Sequence, residues 1–342
     1  MSRSPDGNDY ELTVRVGDPS GVAEARRRAI AVARGLGFAE PDLGRVGLVI
    51  TELATNLVKH AGSGEILLQA VCVGSEWSLE MLALDRGKGI ARMAEAMRDG
   101  YSTAGSPGTG LGAIARQADL FDLYSALDAG TAVFAQVWSR SARRPVSERL
   151  SVGAACAPRT GEDVNGDGWV VTRNGSRVAI LLADGLGHGP LAAEARREAI
   201  RIFRTSWPDS PARLVAAIHA GLRATRGAAV AVSEIDPEGR SVRFCGLGNI
   251  GASIVTGGNV RHLVSHNGTA GHAARKIEEF IYPWLPDSTL VKHTDGLGTQ
   301  WAIERYPGLV THHPSLLAGV LYRDFKRGRD DVAVVVAREA AA

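Results

Sequence analysis

Cysteine is scarce in this chain of 342 residues: Cys72, Cys156 and Cys245 lie far apart and form no Cys-x-x-Cys pair. They read as reduced packing residues of a cytosolic protein. Net charge is nearly absent, +2 from 39 basic and 37 acidic side chains, which leaves no electrostatic case for nucleic acid. Long hydrophobic runs are missing too: no stretch of about 18 apolar residues exists to cross a membrane. The opening MSRSPDGNDY is polar rather than signal-like. A cytoplasmic protein with no membrane or nucleic-acid partner is therefore expected. The length suggests two domains, each large enough to bury its own core, and 45% apolar with 22% charged residues is ordinary for a globular chain.

What is abundant is glycine in two short boxes. Asp85-x-Gly87-x-Gly89 follows a strand-like run, and Gly108-Thr109-Gly110-Leu111-Gly112 opens a helical pattern, AIARQADLF. Glycine lets main chain approach a ligand without a Cβ in the way. The free N–H groups of the helix start suit a phosphate. The loop between the boxes has the length and polarity of a flap. Upstream, residues 46–60 read as a helix ended by Gly62. Glu52 and Asn56, four apart, share one face beside the apolar stripe Val49, Leu53 and Leu57.

Around these motifs the spacing predicts a strand at 11–16, then a helix started by Asp18-Pro19-Ser20 and carrying Val22, Ala25, Ala29, Ile30 and Ala33 on one side. Two antiparallel strands follow, EILLQAVCV and EWSLEMLALD, the second delivering Asp85. FDLYSAL and GTAVFAQVW close the domain as a hairpin around Asp128-Ala129-Gly130. This is an α/β sandwich, one sheet with helices on one face.

The order Glu52…Asn56, Asp-x-Gly-x-Gly, Gly-x-Gly-x-Gly resembles the GHKL (Bergerat-type) ATPases, the fold shared by gyrase, MutL and histidine kinases. Within it, ELATNLVKHAGSG and DGYST…GTGLG are most similar to the small serine kinases of bacterial partner switching, RsbT-like kinases first and anti-sigma-factor kinases next, over residues 10–138. The resemblance implies that Glu52 accepts the proton of an attacking serine or threonine hydroxyl and that Asn56 gives Mg²⁺ an oxygen. Asp85 would take the adenine amino group, Gly87 and Gly89 would keep that wall close, and Gly108, Thr109, Gly110 and Gly112 would close on the phosphates. Lys88 stands where the family often has proline; with Arg86 it either helps hold phosphate or faces solvent. No phosphoacceptor-histidine hairpin precedes the domain, which argues against a sensor kinase, and His60 reads as a helix-end cap.

Residues 139–150, SRSARRPVSERL, are basic, polar and aperiodic, so a linker is expected there between domains 1–138 and 151–342. The second half repeats nothing of the first. Strands in two groups, a helical pair (PLAAEARREAIRIFRTS and PARLVAAIHAGLRAT), a helix near 314–326 and a last strand, DVAVVVARE, predict a β-sandwich flanked by helices. Acidic residues abut the strand ends: Asp167, Asp184, Asp295, Asp330 and Asp331. Brought together, such oxygen-rich sets hold Mg²⁺ or Mn²⁺.

The ordered set GD…ADGLGHG…TDGLG…RDDVAVV resembles the metal-dependent serine/threonine phosphatases of the PPM superfamily, in the SpoIIE branch and nearest its RsbX type, over residues 150–338. That resemblance implies that two metals share an activated water. Asp184 would bridge them, the Gly185 carbonyl, Asp167 and Asp295 would complete the shells, and Asp330 is taken over Asp331 from the family's final acidic pair. His188 either donates to the phosphate or packs its loop, His312 and His313 read as loop residues, and no arginine marks itself as the phosphate clamp.

The two resemblances together imply a partner-switching, stressosome-type regulator. An ATP-dependent serine/threonine kinase and a metal-dependent phosphatase would act on phosphoserine or phosphothreonine of STAS-domain antagonists or stressosome scaffold proteins. Two other readings stay open at this point: a phosphatase regulated by a nucleotide-binding, non-kinase front domain, and a non-enzymatic sequestering protein.

Overall fold

A computed structural model describes residues 11–73, 76–92, 110–140 and 149–340. Gly108, Thr109, the rest of the flap expected after Arg92 and the central part of the expected linker lie outside the described residues. The chain divides into two compact units, Met1–Val146 and Ser147–Ala342.

In the first unit, β1 (Leu12–Val16) leads into α1 (Pro19–Gly35), then α2 (Glu40–Asn56) and a π-helical turn, Leu57–Ala61. The hairpin β2 (Gly64–Val73) and β3 (Glu76–Asp85) follows, then α3 (Gly110–Gln117), β4 (Leu120–Ser125) and β5 (Thr131–Trp138). The strands form one antiparallel sheet in the order β1-β2-β3-β5-β4. Asp18 starts α1 as read from sequence: its Oδ1 accepts from the N–H groups of Ser20 (2.8 Å) and Gly21 (3.0 Å), with Pro19 in the first turn. The helix predicted at 46–60 begins earlier, at Glu40, because Glu40, Pro41 and Asp42 suit a first turn. It reaches Gly62 only through the π turn, and Gly62 ends it at φ 77°.

Period-two alternation puts Ile66, Leu68 and Ala70 of β2, and Leu79, Met81 and Ala83 of β3, into the same core as Val49, Ile50, Leu53 and Leu57. Full burial of side chains such as Ile50 or Met81 is worth about 1.5–3 kcal/mol each. This packing fixes α2 across the sheet and hence the direction of its Glu52–Asn56 face.

The second unit is a two-sheet sandwich. Its strands are β6 (Leu150–Ala157), β7 (Asp167–Asn174), β8 (Arg177–Gly185), β9 (Ala228–Asp236), β10 (Ser241–Leu247), β11 (Gly251–Thr256) and β12 (Asn259–His262). Three two-residue strands follow, β13 (Ser265–His266), β14 (Gly268–Thr269) and β15 (Ala273–Ala274), then β16 (Phe280–Pro283), β17 (Thr289–His293) and β18 (Val332–Glu339). One sheet runs β13-β10-β9-β8-β7 with β16 on β10; the other runs β12-β11-β17-β18-β6. Helices α4 (Pro190–Ser206) and α5 (Pro211–Gly221) cover the first sheet, and α6 (Pro314–Phe325) packs on β6 and β18.

β8 shows why its sequence is a near-continuous apolar run. Ile180 and Leu182 face the sandwich interior, while Ala179, Leu181 and Ala183 face α4 and α5. The hairpin of β12 escaped the sequence reading because that strand is polar and wholly exposed; only the turn glycines Gly257 and Gly258, at φ 53° and 82°, mark it. His313, read as a loop residue, caps α6: its Nδ1 accepts from the Ser315 N–H at 3.2 Å. Lys292 is fully buried between the sheets, where its Nζ donates to the carbonyls of Ile180 (2.7 Å) and Ala231 (3.2 Å). Burial pushes this amine well below its usual range.

Candidate nucleotide and metal sites

Each unit carries one cluster of the residues singled out above. In the first, Glu52 and Asn56 are half-buried on one face of α2, Asn56 being the last residue before the π turn. Single π turns in α-helices often mark functional positions. Gly110, the first residue of α3, stands against them. A Cβ built there would lie 3.3 Å from Asn56 Oδ1 and 3.4 Å from Glu52 Oε2, so α3 starts at the two polar side chains. Gly112 is buried within the same helix.

Asp85 ends β3, and its Oδ1 accepts from the N–H groups of Gly87 (2.8 Å) and Thr131 (3.1 Å). A Cβ at Gly87 would sit 3.0 Å from that of Ala61. Gly89, at φ +72°, would drive a Cβ into the Ala126 carbonyl. The box is also stitched to the β4–β5 hairpin, by the Ile90 N–H on Ser125 Oγ (2.9 Å) and the Asp128 N–H on the Lys88 carbonyl (3.0 Å). Ser125 and Thr131 are therefore part of the wall, although nothing in their local pattern marked them. Arg86 and Lys88 are both exposed. Gly89→Ala is expected to cost about 1–3 kcal/mol through strain at positive φ and to weaken ATP binding; denaturant melts and a nucleotide titration check it.

In the second unit, strand pairing explains the convergence. β7 and β8 are antiparallel with Asp167 opposite Asp184, and β17 and β18 are antiparallel with His293 opposite Val334. Asp295 and the pair Asp330-Asp331 thus emerge together. Asp167 is 2% exposed, and its Oδ2 is buried with no hydrogen-bond partner. Burial first, then the Asp184 charge, pushes its carboxyl well above the usual range. Asp184 is pushed up to about 7 by burial first, then by the charge of Asp295, with Asp330 and Asp331 adding to it.

The final acidic pair divides its work. Asp331, 2% exposed, spends both oxygens on main chain, accepting from Arg159 N–H and Gly166 N–H at 2.7 Å each. Asp330 is exposed and, among the described residues, accepts the N–H of Asp331 at 3.0 Å. Gly185 donates its N–H to the Gly166 carbonyl at 3.1 Å, and a Cβ on it would strike the Ala192 carbonyl.

Three further residues escaped the sequence reading. Asn249 Nδ2 donates to Asp295 Oδ2 at 2.7 Å. Glu162 holds His188 Nδ1 at 2.5 Å. Arg226 brings a guanidinium nitrogen to 3.1 Å from the position of a Gly187 Cβ, beside the turn after Asp184.

No three His, Cys, Asp or Glu side chains among the described residues are drawn up tightly enough to enclose an ion. The donor chemistry nevertheless fits a divalent cation: a partnerless buried oxygen, all-oxygen donors and the raised carboxyls of Asp167 and Asp184 are what a bound metal would satisfy.

A pH dependence follows. Asp184 has a folded value near 7 against 3.8 for the free group. Its contribution to stability is therefore present below about pH 4 and is lost as pH rises through about 7. Metal binding needs the ionised form, so Mn²⁺ or Mg²⁺ is expected to raise the Tm more at about pH 8 than at about pH 5.5. Thermal melts with and without metal at the two pH values measure this.

Comparison with known proteins finds a separate family match in each half of the chain. The family model "Histidine kinase-like ATPase domain" matches residues 16–137, and "Stage II sporulation protein E (SpoIIE)" matches residues 174–339. The serine/threonine-protein kinase RsbT of Bacillus subtilis (strain 168) is 36% identical over 127 residues, 37% of this chain and 96% of RsbT. Over its first unit, the chain belongs to the RsbT serine/threonine-protein kinase family. The RsbT-family domain is joined to a SpoIIE-type phosphatase domain. The expected folds, a GHKL-like α/β sandwich and a PPM-type sandwich flanked by helices, are both borne out.

One similar solved structure, described as "The bacterial stressosome: a modular system that has been adapted to control secondary messenger signaling", has a TM-score of 0.52 and 27% identity. It covers 56% of this chain and 100% of its own. RsbX in complex with magnesium has a TM-score of 0.51 at 17% identity, covering 57% of this chain and 98% of its own, and shares the fold. An ATP-binding, kinase-like domain and a divalent-metal-dependent phosphatase domain thus lie in one regulator of the partner-switching type. Among the described residues no helix is long and apolar enough to cross a membrane.

Proposed function

We propose that this chain sets the phosphorylation level of a STAS-domain antagonist or stressosome scaffold protein, its first unit adding phosphate to serine or threonine from ATP and its second removing it. The observation that carries this reading is that both polar clusters, Glu52–Asn56–Gly110 and the carboxylates around Asp184, are intact in one chain. On this reading the domains are residues 1–138 and 151–342 joined by 139–150, and the compartment is the cytoplasm, where ATP is supplied and the three free cysteines stay reduced.

In the kinase half, Glu52 takes the proton from the attacking hydroxyl, and Asn56 is the residue that would give Mg²⁺ an oxygen. Asp85, held by two main-chain N–H groups, presents its carboxylate to the adenine amino group. The α3 start from Gly110 would offer main-chain N–H groups to the phosphates, the role also carried by the sequence for Gly108 and Thr109. Transfer in line then needs little beyond position and charge stabilisation.

In the phosphatase half, Asp167, Asp184, Asp295, Asp330 and the Gly185 carbonyl would hold Mn²⁺ or Mg²⁺, which when bound would supply Lewis acidity and a water of lowered pKa. Asp331 fixes the 159–166 turn against them, and Asn249 orients Asp295. Glu162 keeps the His188 imidazole at the lip, and Arg226 offers a cation to the phosphate. One chain carrying both sites presents each at high local concentration to a bound partner.

The test is direct. Purified protein, a STAS-domain substrate and labelled ATP with Mg²⁺ should give a labelled serine or threonine, and adding Mn²⁺ after ATP removal should release it. ATP binding without transfer would leave the first unit a nucleotide-sensing regulator. Neither transfer nor release would leave a sequestering protein.

A further inference from the structure

Helix α3 has only eight residues, too few to hold its shape alone. Its last carbonyls have no partner within the helix. The cap comes from elsewhere in the sequence: Arg45 of α2, 9% exposed, donates from Nε (3.1 Å) and Nη2 (2.9 Å) to the carbonyl of Gln117, the last residue of α3. The same guanidinium reaches Asp119 Oδ2 (2.8 Å), Asp42 Oδ1 (3.2 Å) and the Trp138 carbonyl (3.3 Å). A cation at a helix C-terminus also complements the dipole.

We infer that Arg45 is a positioning residue of the kinase site, setting where Gly110 stands against Glu52 and Asn56 by clamping the far end of α3. The inference rests on the reading of the first unit as an ATP-dependent kinase. α3 is held by Ile114, fully buried in the core, with Leu111 packed beside it, by Gly110 at the polar pair, and at its far end by Gln117 under Arg45 and the Asp119 N–H on the Gln136 carbonyl at 2.8 Å. Eight residues span about 12 Å. Ile114 lies mid-helix, so a displacement at Gln117 tilts the helix about it and moves Gly110 by a comparable distance. Shifts near 1 Å at a reacting centre cost about a hundredfold in rate.

The partners of Arg45 are built for this clamp. Asp42 also accepts the Arg140 N–H at 3.0 Å, and Asp119 the Trp138 N–H at 2.7 Å. Both carboxylates keep a donor when the guanidinium is changed. The Gln117 carbonyl receives two parallel donors that only a planar fork supplies, and a lysine keeps the charge without that geometry.

The experiment uses the full chain and compares Arg45→Lys with Val14→Ala. Val14, 4% exposed, lies in β1, at the edge of the sheet opposite β4, and its truncation lowers stability away from α3. ATP affinity in Mg²⁺, KM and kcat for transfer, and the Tm are read for each. Arg45→Lys is expected to weaken ATP binding roughly tenfold or more and to lower kcat. Val14→Ala, at an equal or larger loss of Tm, should leave both within about twofold of wild type. Wild-type affinity and kcat in Arg45→Lys would overturn the inference, as would equal loss of ATP binding in Val14→Ala. Wild-type protein that binds no ATP would instead sink the kinase reading, and this inference with it.

Discussion

Asp184→Asn is expected to remove metal-dependent phosphatase turnover by about a thousandfold or more, while the metal-free protein becomes more stable rather than less. The catalytic loss follows from the position of Asp184 at the focus of the cluster, with Asp167 opposite it in the hairpin and Asp295, Asp330 and Asp331 all acting on its charge. Metal activation is worth several kcal/mol of barrier, and each 1.36 kcal/mol is tenfold in rate.

The gain in stability has the same origin. At about pH 8 the Asp184 carboxylate is ionised although its surroundings favour the neutral acid, and asparagine removes that charge at nearly constant shape. A rise of a few degrees in Tm is expected from about 1–2 kcal/mol. It should shrink at about pH 5.5, where the acid is already largely protonated, and the Mn²⁺-induced shift should be much reduced at both pH values. Melts of wild type and variant, with and without metal, read all three. A variant that is less stable at pH 8 and still responds to metal like wild type would remove Asp184 from the metal site.

Glu52→Gln carries the second large effect. The substitution keeps the shape of the side chain beside Gly110 and Asn56 but cannot accept a proton. Transfer to a serine substrate is expected to fall by roughly 10²–10⁴, with ATP affinity within a few fold of wild type. The release of phosphate by the second unit should be unchanged, which serves as an internal measure of folded protein. Asn56→Ala is the contrast, because it removes the Mg²⁺ oxygen, so ATP binding itself should fail. If Glu52→Gln transfers phosphate at the wild-type rate, another group removes the hydroxyl proton.

Much of this was legible without coordinates, for reasons that particular residues make plain. The apolar alternation of β2 and β3 carries through every position from Ile66 to Ala83 that faces the core, and Asp18-Pro19 and Gly62 punctuate their helices as their chemistry requires. The glycine boxes announce themselves because a Cβ at Gly89 has no place to go. The acidic positions at strand ends could be counted, but the pairing of β7 with β8 and of β17 with β18 that brings them together appears only in the folded sheets. What failed in detail were starts and caps, such as Glu40 for α2 and His313 for α6, where a tolerant first turn leaves a weaker signal than a glycine stop.

By itself, then, the sequence determined the order of most elements, the two folds and the residue types that the two chemistries require, because each of these is written in local pattern: period, turn residue, motif spacing. The division of labour between neighbours was decided only by tertiary structure. Asp330 and Asp331 are indistinguishable in a string, yet one is exposed and the other binds a main-chain N–H 165 residues away. Arg45 reads as one more surface arginine until the chain brings Asp119, 74 residues on, to its guanidinium. Lys292 in a strand gives no sign of the two carbonyls it bridges between the sheets. A buried polar group must find its partner somewhere, and where that partner lies is a property of the folded chain, not of the residues beside it.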